Sequence, residues 1–191
     1  MTYINMSPQF MNAINRLIYE ASKNPVEVGV LMRWNENDQF MWTLWSEAFH
    51  PGIVTQYSAH TATRQIGGHT EEILIRNWQG YVHEAGFTPR IVDIILTKLP
   101  CLTRSAPFTL GTHQLPSGCT FKLKEFIENI ATAVLDWRIA YFRGPNPGPA
   151  MDIESGGAMA VLSGVPKLSI YHFMDHHSFV GGSTPDGLMI A

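Results

Sequence analysis

Charge is scarce in this chain of 191 residues: only 15% are Asp, Glu, Lys or Arg, and 13 basic against 16 acidic residues leave a net charge of −3. That balance argues against a broadly basic nucleic-acid binder, while a local basic rim stays open. Cysteine is scarcer, with Cys101 and Cys119 alone. No run of 18 apolar residues occurs, which excludes a transmembrane helix, and no membrane partner is expected. The opening stretch MTYINMSPQF has neither a basic nor an apolar leader region, so no signal peptide is expected. Two cysteines without an export signal favour thiols or metal ligands over a structural disulfide. Internal repeats and low-complexity blocks are also missing. What is present is apolar: 45% of the residues, enough at this length to bury a core without cross-links. A single domain over 1–191 is expected, its core spanning about 7–173 and residues 174–191 forming a tail or a rim.

The pattern of apolar positions gives the elements. SPQFMNAINRLIYEASK places Phe10, Ala13, Ile14, Leu17, Ile18 and Ala21 on one helical face, with Ser7 as cap and Pro8 in the first turn. VEVGVLMRW and QFMWTLWSEAF read as an antiparallel pair joined by the turn NEND. HPGIVTQYSAHTATRQIGG reads as a loop. A helix beginning near His69 uses Ile73, Ile75, Trp78 and Val82 as its apolar face and ends through Gly86 and Pro89. RIVDIILTKLP is a strand buried on both faces. CLTRSAPFTLGTHQLPSG lacks periodicity and reads as a loop. Phe121, Leu123, Phe126, Ile127, Ile130 and Val134 form the stripe of the next helix. WRIAYFRG is a strand, PNPGPA a rigid excursion, DIESGGAMAVLSGV a helix closed by Gly164, and KLSIYHF the last strand. The order α β β α β α β α β implies an α/β fold with the sheet mostly sandwiched between helices.

Chemistry-bearing residues stand at the ends of these elements. His69 and Glu71 open a helix in GGHTEEILIRNW, Cys101 follows a strand, and Cys119 opens another helix. One imidazole and two thiolates leave a tetrahedral zinc with one open position, the arrangement of catalytic zinc. The open position suits a water made acidic by the metal. Helix N-termini aimed at the site are expected to favour the thiolate of Cys119. Glu71 lies near enough to shuttle a proton without ligating the metal. Its neighbour Glu72 is expected a quarter-turn away, where alanine is tolerated.

HTE, then PC some thirty residues later, then a cysteine opening a helix resembles the zinc-dependent cytidine deaminase superfamily. The element order from about Ser7 to Phe173 is similar to that fold, a three-layer α/β/α sandwich around a five-stranded mixed sheet. The resemblance implies zinc ligands at His69, Cys101 and Cys119, and a general acid/base at Glu71. TKLPC resembles the form found in nucleic-acid-editing members, which implies that the Leu99 carbonyl accepts from the exocyclic amine of the base. Thr70, Pro100 and Phe108 complete the implied substrate-binding set. The family's last motif is usually Pro-Cys-x-x-Cys, whereas seventeen residues separate Cys101 from Cys119 here. That expansion is similar to bacterial polymorphic-toxin deaminases, which implies a cognate immunity protein as a partner and a cytoplasmic site of action. Lys98 stands where editing deaminases place a stacking tryptophan, leaving Phe49, Tyr57, Phe108 or a residue of YHF to stack a base.

The implied reaction converts cytosine to uracil within single-stranded nucleic acid or a flipped base, with adenine less favoured. The net charge keeps free nucleosides and nucleotides open. A non-catalytic, zinc-stabilised binding module is the rival, and intact Glu71 argues against it. Plainer readings stand beside each residue. His69 and Glu71 alone would serve as helix caps. The cysteines could be buried hydrophobes, and His113 could compete as a third ligand. Trp34, Trp42, Trp45 and Trp137 fit a core better than a base-stacking platform. His60-Thr61 reads as loop or pocket wall, and His172 to His177 as rim. Arg64, Arg104, Lys122 and Lys124 are candidates for a phosphate entrance, or are scattered surface charges.

Overall fold

The structure, a computed structural model, describes residues 4–23, 28–46, 68–142 and 149–173. Helix α1 (Pro8–Lys23) begins where expected, with Ser7 Oγ accepting from the Phe10 N–H at 3.0 Å. It buries Phe10, Ile14, Leu17 and Ile18. Strands β1 (Gly29–Trp34) and β2 (Asn37–Trp45) form the hairpin. Asn35 and Glu36 at its turn both adopt positive φ, 52° and 56°, which matches the twist of a tight hairpin. Asn35 Oδ1 also accepts from the N–H groups of Arg90 and Ile91, fixing the hairpin against the start of the next strand.

Helix α2 (Thr70–Ala85) ends at Gly86 in the left-handed conformation. Strand β3 (Ile91–Leu96) follows, then strand β6 (Asp136–Phe142), helix α4 (Pro149–Ser163) and strand β7 (Leu168–Phe173). Between β3 and β6 lie a small hairpin, β4 (Phe108–Leu110) with β5 (His113–Leu115), and helix α3 (Cys119–Glu125). The main sheet has the order β2-β1-β3-β6-β7, with β1 antiparallel to β2 and β3, and β3, β6 and β7 mutually parallel. This is the expected α/β/α sandwich on a five-stranded mixed sheet. No helix among the described residues is long and apolar enough to cross a membrane.

Alternation along the strands sorts the core into two layers. Leu31, Ile95, Ala140 and Tyr171 face α1, while Val30, Met32, Ile94, Leu96 and Ile139 face α2, α3 and α4. Trp34 and Trp137 are fully buried in an aromatic cluster with Trp42, Trp78 and Phe126, their ring centroids 4.8–5.8 Å apart. Trp34 and Trp137 are therefore core, as the plainer reading held, and Trp42 and Trp45 pack partly buried against it. On the α1 face, strand register aligns Arg33, Asp93 and Arg138. Arg33 Nη2 reaches Asp93 Oδ2 at 2.7 Å, and Arg138 Nε reaches Oδ1 at 2.6 Å. Phe10 packs on the Arg33 guanidinium at 3.6 Å.

Three expectations are corrected. The segment from Leu102 to Gly118 is not wholly irregular: it contains the β4–β5 hairpin, whose Leu115 is fully buried in the core. Strands of three residues are too short to show a period, which is why the sequence reads as loop. Helix α3 gives way after Glu125 to a π-helical turn (Phe126–Ile130), closed by the Ala131 N–H on the Phe126 carbonyl. Phe121, upstream of that turn and off the face of Leu123, Phe126 and Ile127, is exposed, and Val134 is buried beyond the helix. On α2 the buried face is Leu74, Ile75, Trp78 and Tyr81, with Ile73 and Val82 at its margin. Glu71 and Glu72 point inward at its first turn and rotate the face with them.

Candidate metal centre

The site is assembled at the entrance to β1. Thr70 Oγ1, on the first residue of α2, donates to the Val28 carbonyl at 2.8 Å. The Gly29 N–H donates to Thr97 Oγ1 at 2.8 Å, where the chain leaves β3. Both elements are thus tied to adjacent residues of one strand, which brings His69 beside Cys101. The second cysteine is brought in by Thr120. Its hydroxyl donates to the Pro100 carbonyl and its N–H to the Cys101 carbonyl, each at 3.0 Å.

Gly118 completes the closure. Its N–H donates to the Ser105 carbonyl at 2.9 Å, and its φ of +82° suits glycine alone. A Cβ there would lie 1.6 Å from the Leu102 carbonyl oxygen. From α4, Glu154 Oε1 accepts from the Leu102 N–H at 3.2 Å and its other oxygen pairs with Arg104. The seventeen-residue segment leaves and returns at one point, so Cys101 and Cys119 meet despite their spacing.

Among the described residues, His69, Cys101 and Cys119 form the cluster that could hold a metal ion, with their ligand atoms all within 4.8 Å of one another. Cys101 Sγ lies 3.5 Å from His69 Nδ1, and the Cys119 N–H points at Cys101 Sγ from 3.5 Å. His69 occupies the N-cap position of α2, but its side chain makes no capping bond; its carbonyl accepts from Glu72 and Ile73 instead. The capping interpretation of this ring is therefore set aside. His113 belongs to β5, outside the cluster.

The two cysteines are shifted in opposite directions. Hydrogen bonding from Cys119, against the cost of burial, brings the Cys101 thiol down to about 3, with His69 adding to the effect. Cys119 is pushed up by the Cys101 sulfur beside it and by burial. The thiolate was expected at Cys119; between the two sulfurs the anionic form is instead favoured at Cys101, chiefly because the Cys119 thiol hydrogen-bonds to it, with the helix-opening N–H adding to the effect. His69 is raised by its contact with Cys101. Glu71 is 4% exposed, and burial pushes its carboxyl up to about 7 despite the N–H groups of the helix start.

Glu72 differs from expectation. It is buried and pairs with Lys122, whose Nζ lies 2.8 Å from Glu72 Oε1 and 2.6 Å from Ser105 Oγ. Ser105 Oγ in turn lies 3.5 Å from Cys119 Sγ. Ser105, Thr120 and the Glu72–Lys122 pair are parts of the site that sequence reasoning missed. One signal was available: Glu72 follows His69 by three residues and Lys122 follows Cys119 by three, so opposite charges sit one turn beyond two helix-opening ligands.

The expected substrate residues are placed as follows. Thr70 is buried with its hydroxyl on Val28, and Pro100 is buried with its carbonyl engaged by Thr120. Leu99 packs at the margin of the core. Phe108 lies under the Arg76 guanidinium at 3.6 Å and 5.6 Å from Lys122 Nζ. Arg104 and Lys124 pair with Glu154 and Glu128, and Lys122 is buried. Phe49, Tyr57, His60, Thr61, Arg64 and the side chains of His172 to His177 lie outside the described residues. No family model, curated protein or solved structure matches the chain.

Proposed function

We propose that the protein is a zinc-dependent hydrolytic deaminase that converts cytosine to uracil with release of ammonia. The observation that carries this reading is the pairing of the three-ligand cluster with a buried Glu71 that stands two residues beyond His69. Tetrahedral zinc, with bonds of about 2.0–2.1 Å to nitrogen and about 2.3 Å to sulfur, sets those ligands about 3.5 Å apart. The 3.5 Å between His69 Nδ1 and Cys101 Sγ fits that edge. Three protein ligands leave a position open, which suits catalysis better than a closed structural site. When bound, zinc supplies Lewis-acid activation of a water for attack on the amine-bearing carbon.

Glu71 does the proton work. With its ordinary charge preference reduced by burial, its carboxylate takes a proton from the attacking water and delivers it to the departing amine. The product side balances: the ring gains the water oxygen and the amine leaves as ammonia. The Leu99 carbonyl, just before Pro100, orients the exocyclic amine in this reading, and Phe108 is the candidate platform for the base.

Nucleic acid is the favoured substrate, on the resemblance of HTE, PC and the widely spaced second cysteine to toxin deaminases. An immunity protein that blocks the site follows from the same resemblance. One observation favours a second reading, deamination of free nucleosides: Arg104, Lys122 and Lys124 are all engaged in ion pairs and so are poorly placed to hold a polymer's phosphates. Incubation with single-stranded DNA, duplex DNA, RNA and cytidine, followed by sequencing and mass analysis, separates the two. A gain of one mass unit per base, at cytosine and dependent on Glu71, is expected. Zinc-loaded protein that leaves all four substrates unchanged would remove the deaminase reading.

A further inference from the structure

The chain Glu72–Lys122–Ser105–Cys119 has no part in the proton relay, yet it places a buried ammonium two contacts from a metal-ligating sulfur. Lys122 is fully buried and Ser105 is 4% exposed, so their partners are limited to one another and to what packs around them. An ammonium has hydrogens to give and no lone pair to receive. Ser105 Oγ, 2.6 Å from Lys122 Nζ, therefore accepts from it. That fixes the direction of the chain, because the hydroxyl hydrogen must then point to another acceptor. Cys119 Sγ, 3.5 Å away, becomes such an acceptor once a bound metal ion displaces its proton to solvent. Glu72, at 2.8 Å, holds the ammonium in place and neutralises it, so the arrangement adds no net charge to the core.

We propose that Ser105, oriented by Lys122 and Glu72, is a positioning residue that donates to the Cys119 sulfur and sets how tightly the site holds its metal. The proposal rests on the metal-binding part of the preceding reading and is independent of the reaction catalysed. A hydroxyl donated to a thiolate draws electron density from sulfur and fixes its orientation. Such outer contacts typically change metal affinity about ten- to a hundredfold.

The test uses the full chain, stripped with a chelator and titrated with cobalt(II) against a competing chelator, while the sulfur-to-cobalt charge-transfer absorption is followed. The variants are Ser105→Ala, Ser105→Thr, and the paired Glu72→Gln with Lys122→Met, which removes both charges together. Ser105→Ala is expected to keep one cobalt per chain, to weaken its binding by roughly ten- to a hundredfold, and to move the band to lower energy because the sulfur is more electron-rich. Ser105→Thr should restore both quantities, a rescue that mere packing of a methyl-sized group would not give. The paired variant should move the band in the direction of Ser105→Ala, and it reads the same quantities should the alanine variant not fold. Wild-type affinity and band position in Ser105→Ala would overturn the proposal. Absence of any charge-transfer band in the wild-type chain would instead overturn the metal site, and the proposal with it.

Discussion

Burial governs what Glu71 does. A carboxyl raised to about 7 is divided between its two forms near neutrality, which suits the proposed role of accepting and returning a proton. Glu71→Gln keeps the shape and removes the proton, so deamination should fall on the order of a hundredfold to ten-thousandfold while metal content is unchanged. Assay at matched zinc loading checks this. The same residue leaves a mark on stability. Its carboxyl is raised in the folded chain, so its stabilising contribution is complete below the ordinary value of 4.5 and is lost as pH climbs through about 7. Denaturation of the metal-free protein should therefore show wild type losing stability relative to Glu71→Gln across that window, then running parallel above it. Glu72, adjacent in sequence, has a different role. Removing it strands the fully buried Lys122, and Glu72→Ala should cost about 3–5 kcal/mol. A denaturant midpoint equal to wild type would show the ion pair to be dispensable. His69, Glu71, Cys101 and Cys119 were legible in the sequence because reactive types stood at the ends of elements. The burial of Glu72 and Lys122 was not, since charged residues are ordinarily outside and their pairing joins two separate helices.

At the scale of elements, the seventeen-residue segment matters more than its lack of pattern suggests. Its two short strands deliver Leu115 into the core and Phe108 beneath Arg76, so it is built into the molecule and is no removable lid. Leu115→Ala should destabilise by about 2–5 kcal/mol, a cost that a passive insertion would not show in thermal unfolding. Gly118 is the hinge on which the closure depends. Gly118→Ala drives a methyl into the Leu102 carbonyl and should separate the cysteines, lowering metal content together with stability. Metal analysis and thermal unfolding of that variant report the two losses. The order of the long helices and strands could be read from period alone. The β4–β5 hairpin and the π-helical turn could not, because each is shorter than the window in which a period declares itself.

For the molecule as a whole, one sheet separates two tasks. The face toward α2 and α3 carries the His69–Cys101–Cys119 cluster, and the face toward α1 carries the Arg33–Asp93–Arg138 network. Alternation along the strands assigned the apolar residues to their layers, but this network is a product of register between strands. Arg33, Asp93 and Arg138 meet only when three strands are aligned, and their spacing along the chain carries no trace of it. Asp93→Ala leaves two guanidinium groups buried without their shared carboxylate and should cost about 3–5 kcal/mol. Cobalt binding measured below the unfolding transition should stay at the wild-type level, since the affected face is the one away from the ligands.

The return of the chain at Gly118 also bears on how such a centre can be found and changed over time. What keeps Cys101 and Cys119 together is a seam of hydrogen bonds, from Thr120 to Pro100 and Cys101 and from Gly118 to Ser105, rather than a count of intervening residues. Above that seam the tip at Gly111 and Thr112 is exposed. An exposed tip tolerates insertion or deletion while the sulfurs stay in place. A search pattern with a fixed gap between the cysteines measures the length of the excursion and passes over its end points. One written for the seam, with a small positive-φ residue before the second cysteine and a hydroxyl after it, would recover chains that differ in the length and the tip of the excursion.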